Sequence, residues 1–198
     1  MRRIPILLAL PVALLLAAAP VAADTTGGGS GTSFNSFSET CSASGNRVSC
    51  TDTNLFVGPN GDGTNSTCLD IFSYSFSSNG RQTFGSDQFG CVTGGALTVG
   101  SDYAVSLAPI AISLQTCSAH KRSCTGSTDV TVSASDQLDG DVSTTTTKST
   151  TVSGGCTFKT TIKETDANLV GTMTLNGSTI DEQGFLSIVD ETSTVRCR

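Results

Sequence analysis

The chain carries one histidine, His120, and this limits the chemistry on offer. A serine, threonine or cysteine nucleophile needs a base beside it, most often histidine, held by a third group. His120 lies in a six-residue segment between Cys117 and Cys124. It reads as the tip of a short loop, with no orienting partner and no pocket. Serine-hydrolase elbows, zinc-protease helices, phosphate-binding loops and dinucleotide fingerprints are all absent from the sequence. A glycosidase would need two carboxylates flanking a sugar-binding cleft. Glu39, Glu164, Glu182 and Glu191 are scattered without a motif, Trp is absent, and only Tyr74 and Tyr103 represent tyrosine. The expectation is a protein without catalytic activity.

Two segments have the shape of binding sites. Ala119-His120-Lys121-Arg122 is a cationic tip on an acidic chain. Clamped by a small disulfide loop, it would present Lys121 or Arg122 to the specificity pocket of a trypsin-like protease at low ordering cost. Solvation of a hairpin tip accounts for the same charges. The second segment is Asn60-Gly61-Asp62-Gly63-Thr64-Asn65, followed by Asp70. It spaces oxygen ligands every second residue, which suits calcium through Asn60, Asp62, Asn65 and Asp70. It lacks the closing bidentate Glu of the helix-loop-helix calcium site, and Asn, Asp and Gly also serve as ordinary turn residues. Asp136, Asp139 and Asp141 around Gly140 form a weaker cluster of the same kind. Asn65 and Asn176 head glycosylation sequons, used only in a host that modifies them.

The eight cysteines set the frame for any such site. Residues 1–23 read as an export signal: Arg2 and Arg3, an apolar stretch over 4–19, then the small residues Val21-Ala22-Ala23. Export to an oxidising compartment makes disulfides the expected state of Cys41, Cys50, Cys68, Cys91, Cys117, Cys124, Cys156 and Cys197. Cys41 and Cys50 are symmetric about Gly45-Asn46, a two-residue hairpin turn, and fall on a non-hydrogen-bonded pair, where side chains come closest. Cys68 and Cys91 are symmetric about Asn79-Gly80, but the count lands on a hydrogen-bonded pair that needs a bulge to correct it. Cys117 and Cys124 close the tight loop, which leaves Cys156 and Cys197 for each other.

The elements that carry these bridges read as strands. Phe72, Tyr74 and Phe76 alternate with serines, as do Val130, Val132 and Ala134 with Thr131 and Ser133. Pro109 sits where the phase of alternation switches, as at a bulge or an edge. Asp139-Gly140 and Asn176-Gly177 read as hairpin turns. Residues 24–38 are Gly-, Ser- and Thr-rich and read as a flexible leader. A weak repeat of Cys-Ser-Ala with a following Arg and Cys divides the rest into β units 39–116 and 117–198, as two sandwiches or one merged sandwich. The expected class is an all-β, antiparallel, sandwich-like fold of disulfide-stapled hairpins.

Composition fits a thin core. After residue 23 there are 27 Ser and 30 Thr, against 36 Val, Ile, Leu and Phe together. Four bridges, each worth about 2–4 kcal/mol, would then be comparable with the whole net stability of a typical domain. Loss of Arg2 and Arg3 with the signal takes the net charge from −6 to −8. That excludes a general nucleic-acid or anionic-membrane binder. No apolar run after the signal reaches bilayer-spanning length. The expected role is a secreted binding, adhesion or structural module for an extracellular protein or surface. Protease inhibition through Lys121/Arg122 and calcium-dependent binding are the alternatives.

Overall fold

The computed structural model describes residues 25–60, 64–118 and 123–197. Residues 1–23, read above as an export signal, Asp62 and residues 119–122 lie outside the described residues. Nine antiparallel strands form one sheet. They are β1 (Thr25–Ser44), β2 (Arg47–Pro59), β3 (Asn65–Ser77), β4 (Gln82–Thr93), β5 (Leu97–Val99), β6 (Val105–Ser118), β7 (Ser123–Ser153), β8 (Cys156–Leu175) and β9 (Ser178–Cys197). Neighbours in sequence are mostly neighbours in space, as short hairpin connections dictate. Two further pairings close the sheet. β1 runs along β9 from Thr25↔Val195 to Phe37↔Gln183, and β4 meets β6 from Ser86↔Ser118 to Phe89↔Gln115. The all-β antiparallel class is as expected. Its two facing layers are the walls of a single rolled sheet, a ring of eight strands with β5 added beside β6.

Period-two alternation decides which wall faces which way. Phe34, Leu55, Val57, Leu69, Leu107, Ile112, Leu114, Val132, Leu169, Met173 and Leu186 are buried and form one core. Each fully buried side chain of this size contributes about 1.5–3 kcal/mol. The outward positions of β7 over 143–151 are Ser, Thr and Lys. Among the described residues no helix is long and apolar enough to cross a membrane.

All four expected disulfides are formed, with Cα–Cα distances of 3.9–4.1 Å, the close spacing of non-hydrogen-bonded cross-strand pairs. Cys41↔Cys50 follows from the Gly45-Asn46 turn as read. Cys68↔Cys91 arises differently. Ser77 donates to the Arg81 carbonyl across a three-residue turn, which offsets the register by one. A bulge in β4 opposite Ser73 restores it before the cysteines are reached. Cys156 and Cys197 face each other at the far end of the hairpin that starts at Asn176-Gly177, after a continuous ladder.

Two sequence expectations change. Residues 25–38 are not a flexible leader but the first half of β1, because Gly27 to Gly31 pair with Val189 to Ser193 of β9. Asp139-Gly140 is not a hairpin turn. β7 continues through it with a register shift between Leu138 and Val142, and Gly140 (φ +92°) takes the bulge conformation that side chains disfavour. The turn to β8 falls at Gly154-Gly155 instead. Strands of units 39–116 and 117–198 join in one sheet, the merged arrangement of the two considered. Pro109 does sit at a register shift, between Leu107 and Ile110.

Candidate functional site

Carboxylates gather in two places, one outside the ring and one inside. The outer group is laid out by the register of β1 to β4. One row across these strands reads Glu39, Asp52, Phe72, Asp87. The next reads Phe37, Asn54, Asp70, Phe89 on one side, and Cys41, Cys50, Tyr74, Phe84 on the other. The β4 bulge is what places both Phe84 and Asp87 on this face, although they are three residues apart. Phe72 lies 5.8 Å from both Tyr74 and Phe84, and Tyr74 meets Phe76 edge-on at 5.4 Å. Phe37, Phe56, Phe76, Phe84 and Phe89 are between 38% and 51% exposed, which is unusual for phenylalanine on an isolated domain.

The electrostatics of this face are one-sided. Partial burial, then repulsion from Asp87 and a hydrogen bond with it, push the Asp70 carboxyl up to about 6. Asp52 is raised by burial and by Glu39. The Tyr74 hydroxyl donates to Glu39 Oε1 at 2.5 Å, and that hydrogen bond raises the phenol above its ordinary range. The charges acting on Asp52 and Asp70 are those of other carboxylates. Asp52 Oδ1 and Asp70 Oδ1 are shielded from water and lack a fixed donor.

The inner group is Asp136 of β7 and Glu182 of β9, only 1% and 3% exposed. They flank β8 at Gly171, which pairs with both. A Cβ at Gly171 or Gly184 would overlap the Asp136 carboxylate, so these two glycines make the space it occupies. Ser36 donates from Oγ to Glu182 Oε2. Among the described residues no fixed N–H or O–H reaches either Asp136 oxygen or Glu182 Oε1. The one hydrogen available to them is a carboxyl proton. Burial, then the hydrogen bond to Asp136, push Glu182 up to about 8, so the pair shares a proton. Burial also raises Asp136, and the bond from Glu182 opposes that rise. Next to the pair the β1–β9 ladder ends at Phe37↔Gln183. The strands part there, leaving a cleft of about 420 Å³ lined by Phe37, Glu39, Val170, Asp181 and Glu182.

The sequence candidates fare unevenly. Asn60 is used by its own turn, accepting from Ser66 Oγ at 2.8 Å and donating to Thr64 Oγ1 at 3.2 Å. Asn65 starts β3 opposite Pro59, and Asp70 stands five residues further along, roughly 17 Å at strand rise. The structure therefore does not bring Asp70 to Asn60 and Asn65, and Asp62 lies outside the described residues. The weaker cluster disperses too: Asp136 points inward, while Asp139 and Asp141 are exposed at the bulge. His120, Lys121 and Arg122 lie outside the described residues, and the Cys117–Cys124 bridge at their base is formed. Tight packing of three cysteine and carboxylate groups occurs at Glu39, Cys41 and Cys50, where the sulfurs are already bonded to each other.

The aromatic face and the buried pair were both missed in sequence. Alternation of Phe72, Tyr74 and Phe76 reads as a half-buried strand, which does not say that the ring row faces outward. The signal for the pair was the placing of Gly171 and Gly184 inside strands, where glycine marks a close approach. No family model matches the chain, and no curated protein or solved structure matches it either.

Proposed function

We propose that the protein is a secreted, non-catalytic binding module, and that the β1–β4 outer face is its binding surface. The observation that carries this reading is the cluster of exposed phenylalanines interleaved with carboxylates on a disulfide-stapled wall. Exposed aromatic area of this kind is costly to leave in water and supplies most of the energy at recognition surfaces. The wall under it is stiff, because Cys41–Cys50 and Cys68–Cys91 cross-link neighbouring strands within it. A preformed surface loses little entropy on binding. Four disulfides and an export signal support an extracellular or other non-cytoplasmic setting.

The test is a binding panel of immobilised extracellular polymers: a neutral polysaccharide, a basic peptide and a fibrous protein. The expected result is retention on at least one surface, lost more than tenfold in Phe72→Ser/Phe84→Ser/Phe89→Ser while the melting temperature stays within a few degrees. Unchanged binding of that variant to every retained surface overturns the reading. So does turnover of any panel polymer that Asp136→Asn/Glu182→Gln abolishes.

A further inference from the structure

Resting on the reading of the β1–β4 face as a binding surface, we propose that its ligand is an extended polypeptide segment bearing arginine at alternate positions. The face supplies the counterpart of such a chain. Glu39, Asp52, Asp70 and Asp87 stand one on each of four successive strands. At about 4.8 Å between strands they form a band roughly 15 Å long. A small cation would neutralise one neighbouring pair and leave the rest of the band unpaired. An extended chain directs every second side chain to one side, about 6.6 Å apart, and runs the length of the band.

The rings between the acids select the cation. Phe72, Tyr74 and Phe84 offer faces adjacent to carboxylates. A guanidinium stacks on an aromatic face and donates in its own plane to a carboxylate, whereas an ammonium is a strongly hydrated point charge. Charge balance favours the same ligand. Asp52 and Asp70 are repelled by their acidic neighbours, and among the described residues no cation offsets that repulsion. Binding of arginine relieves that repulsion and returns Asp70 toward its ordinary carboxylate range.

The experiment is fluorescence anisotropy of the full mature protein with labelled twelve-residue Arg-Ser, Lys-Ser and Gln-Ser repeat peptides, at pH 7.5 and low salt. The expected order is Arg-Ser over Lys-Ser, with no Gln-Ser binding. Arg-Ser affinity should fall at least tenfold in Asp52→Asn/Asp70→Asn and in Phe72→Ser/Phe84→Ser, and should weaken both in 0.3 M salt and at pH 5. Thermal melts of both variants establish that they are folded. Equal binding of the Gln-Ser peptide, or unchanged affinity in Asp52→Asn/Asp70→Asn, overturns the inference. If the peptides fail but a neutral polysaccharide binds and needs Phe72 and Phe84, the face is the binding surface and the arginine ligand is wrong. If nothing that binds depends on Phe72 and Phe84, both readings fall.

Discussion

The two carboxylate groups solve the same electrostatic problem in opposite ways. Asp136 and Glu182 sit in the core, where charge is costly, and the proton they share removes one of the two charges. Glu39, Asp52, Asp70 and Asp87 sit on the outer wall, partly open to water and salt, so four carboxylates coexist with raised values at Asp70 and Asp52. The inner pair is therefore tied to the fold's stability, and the outer group is free to act on a partner. The contrast teaches that solvent access, rather than residue type, decides whether an acid cluster on this sheet gives up a charge or keeps it.

One large expected effect comes from filling the space that the inner pair needs. Gly171→Ala places a methyl against the Asp136 carboxylate and the β7 backbone at Ser135 and Asp136, so the neighbouring strand itself must shift. Overpacking of this kind costs about 1–3 kcal/mol. The measurement is the midpoint of urea unfolding. Gly29→Ala, whose added methyl would meet nothing within 4 Å, is the matched control. Equal midpoints for the two variants would show that the pair does not depend on its glycine cradle.

A second effect concerns pH. Glu182 is raised to about 8 in the fold and titrates near 4.3 when unfolded. Below the unfolded value both states hold the proton and the fold has its full stability. Above it the unfolded chain releases a proton that the fold retains, so stability falls as pH rises and the loss is complete past about 8. Unfolding midpoints of the wild type should decline between pH 5 and pH 8.5. In Asp136→Asn/Glu182→Gln the amides keep a hydrogen bond without a titrating proton, and that slope should flatten. A double variant with the wild-type slope would place the proton elsewhere.

The difference between the two groups also explains what could be read from sequence. Hairpin pairing is local, so Gly45-Asn46 placed Cys41 opposite Cys50 directly. The same arithmetic about Asn176-Gly177 places Cys156 opposite Cys197, a pairing the sequence reading reached only by elimination. Asn79-Gly80 gave the right bridge by compensation, since the three-residue turn and the β4 bulge shift the register in opposite senses. Asp139-Gly140 failed because a bulge and a turn ask for the same residues. Closure of the ring was not legible. It rests on β1 reaching β9 and β4 reaching β6, pairings between distant segments that no local pattern encodes. Both carboxylate groups follow from that long-range register. Asp136 and Glu182 lie 46 positions apart in sequence and meet only across Gly171.

The smallest expected effect on stability is at the outer face, and salt is the probe that separates it from the inner pair. Asp70 is partly exposed, so relief of its repulsion by Asp70→Asn should raise stability by no more than about 0.5 kcal/mol at low ionic strength and neutral pH. Salt screens exposed charges over roughly 8 Å at physiological strength and reaches buried ones far less. Raising salt from 0.02 to 0.3 M should therefore stabilise the wild type slightly and leave Asp70→Asn less affected. The pH slope removed by Asp136→Asn/Glu182→Gln should keep its size at both salt concentrations. If salt erased that inner slope as well, the proton would be held at a wetter site than the glycine cradle, and the division between a structural acid pair and a recognition face would fail.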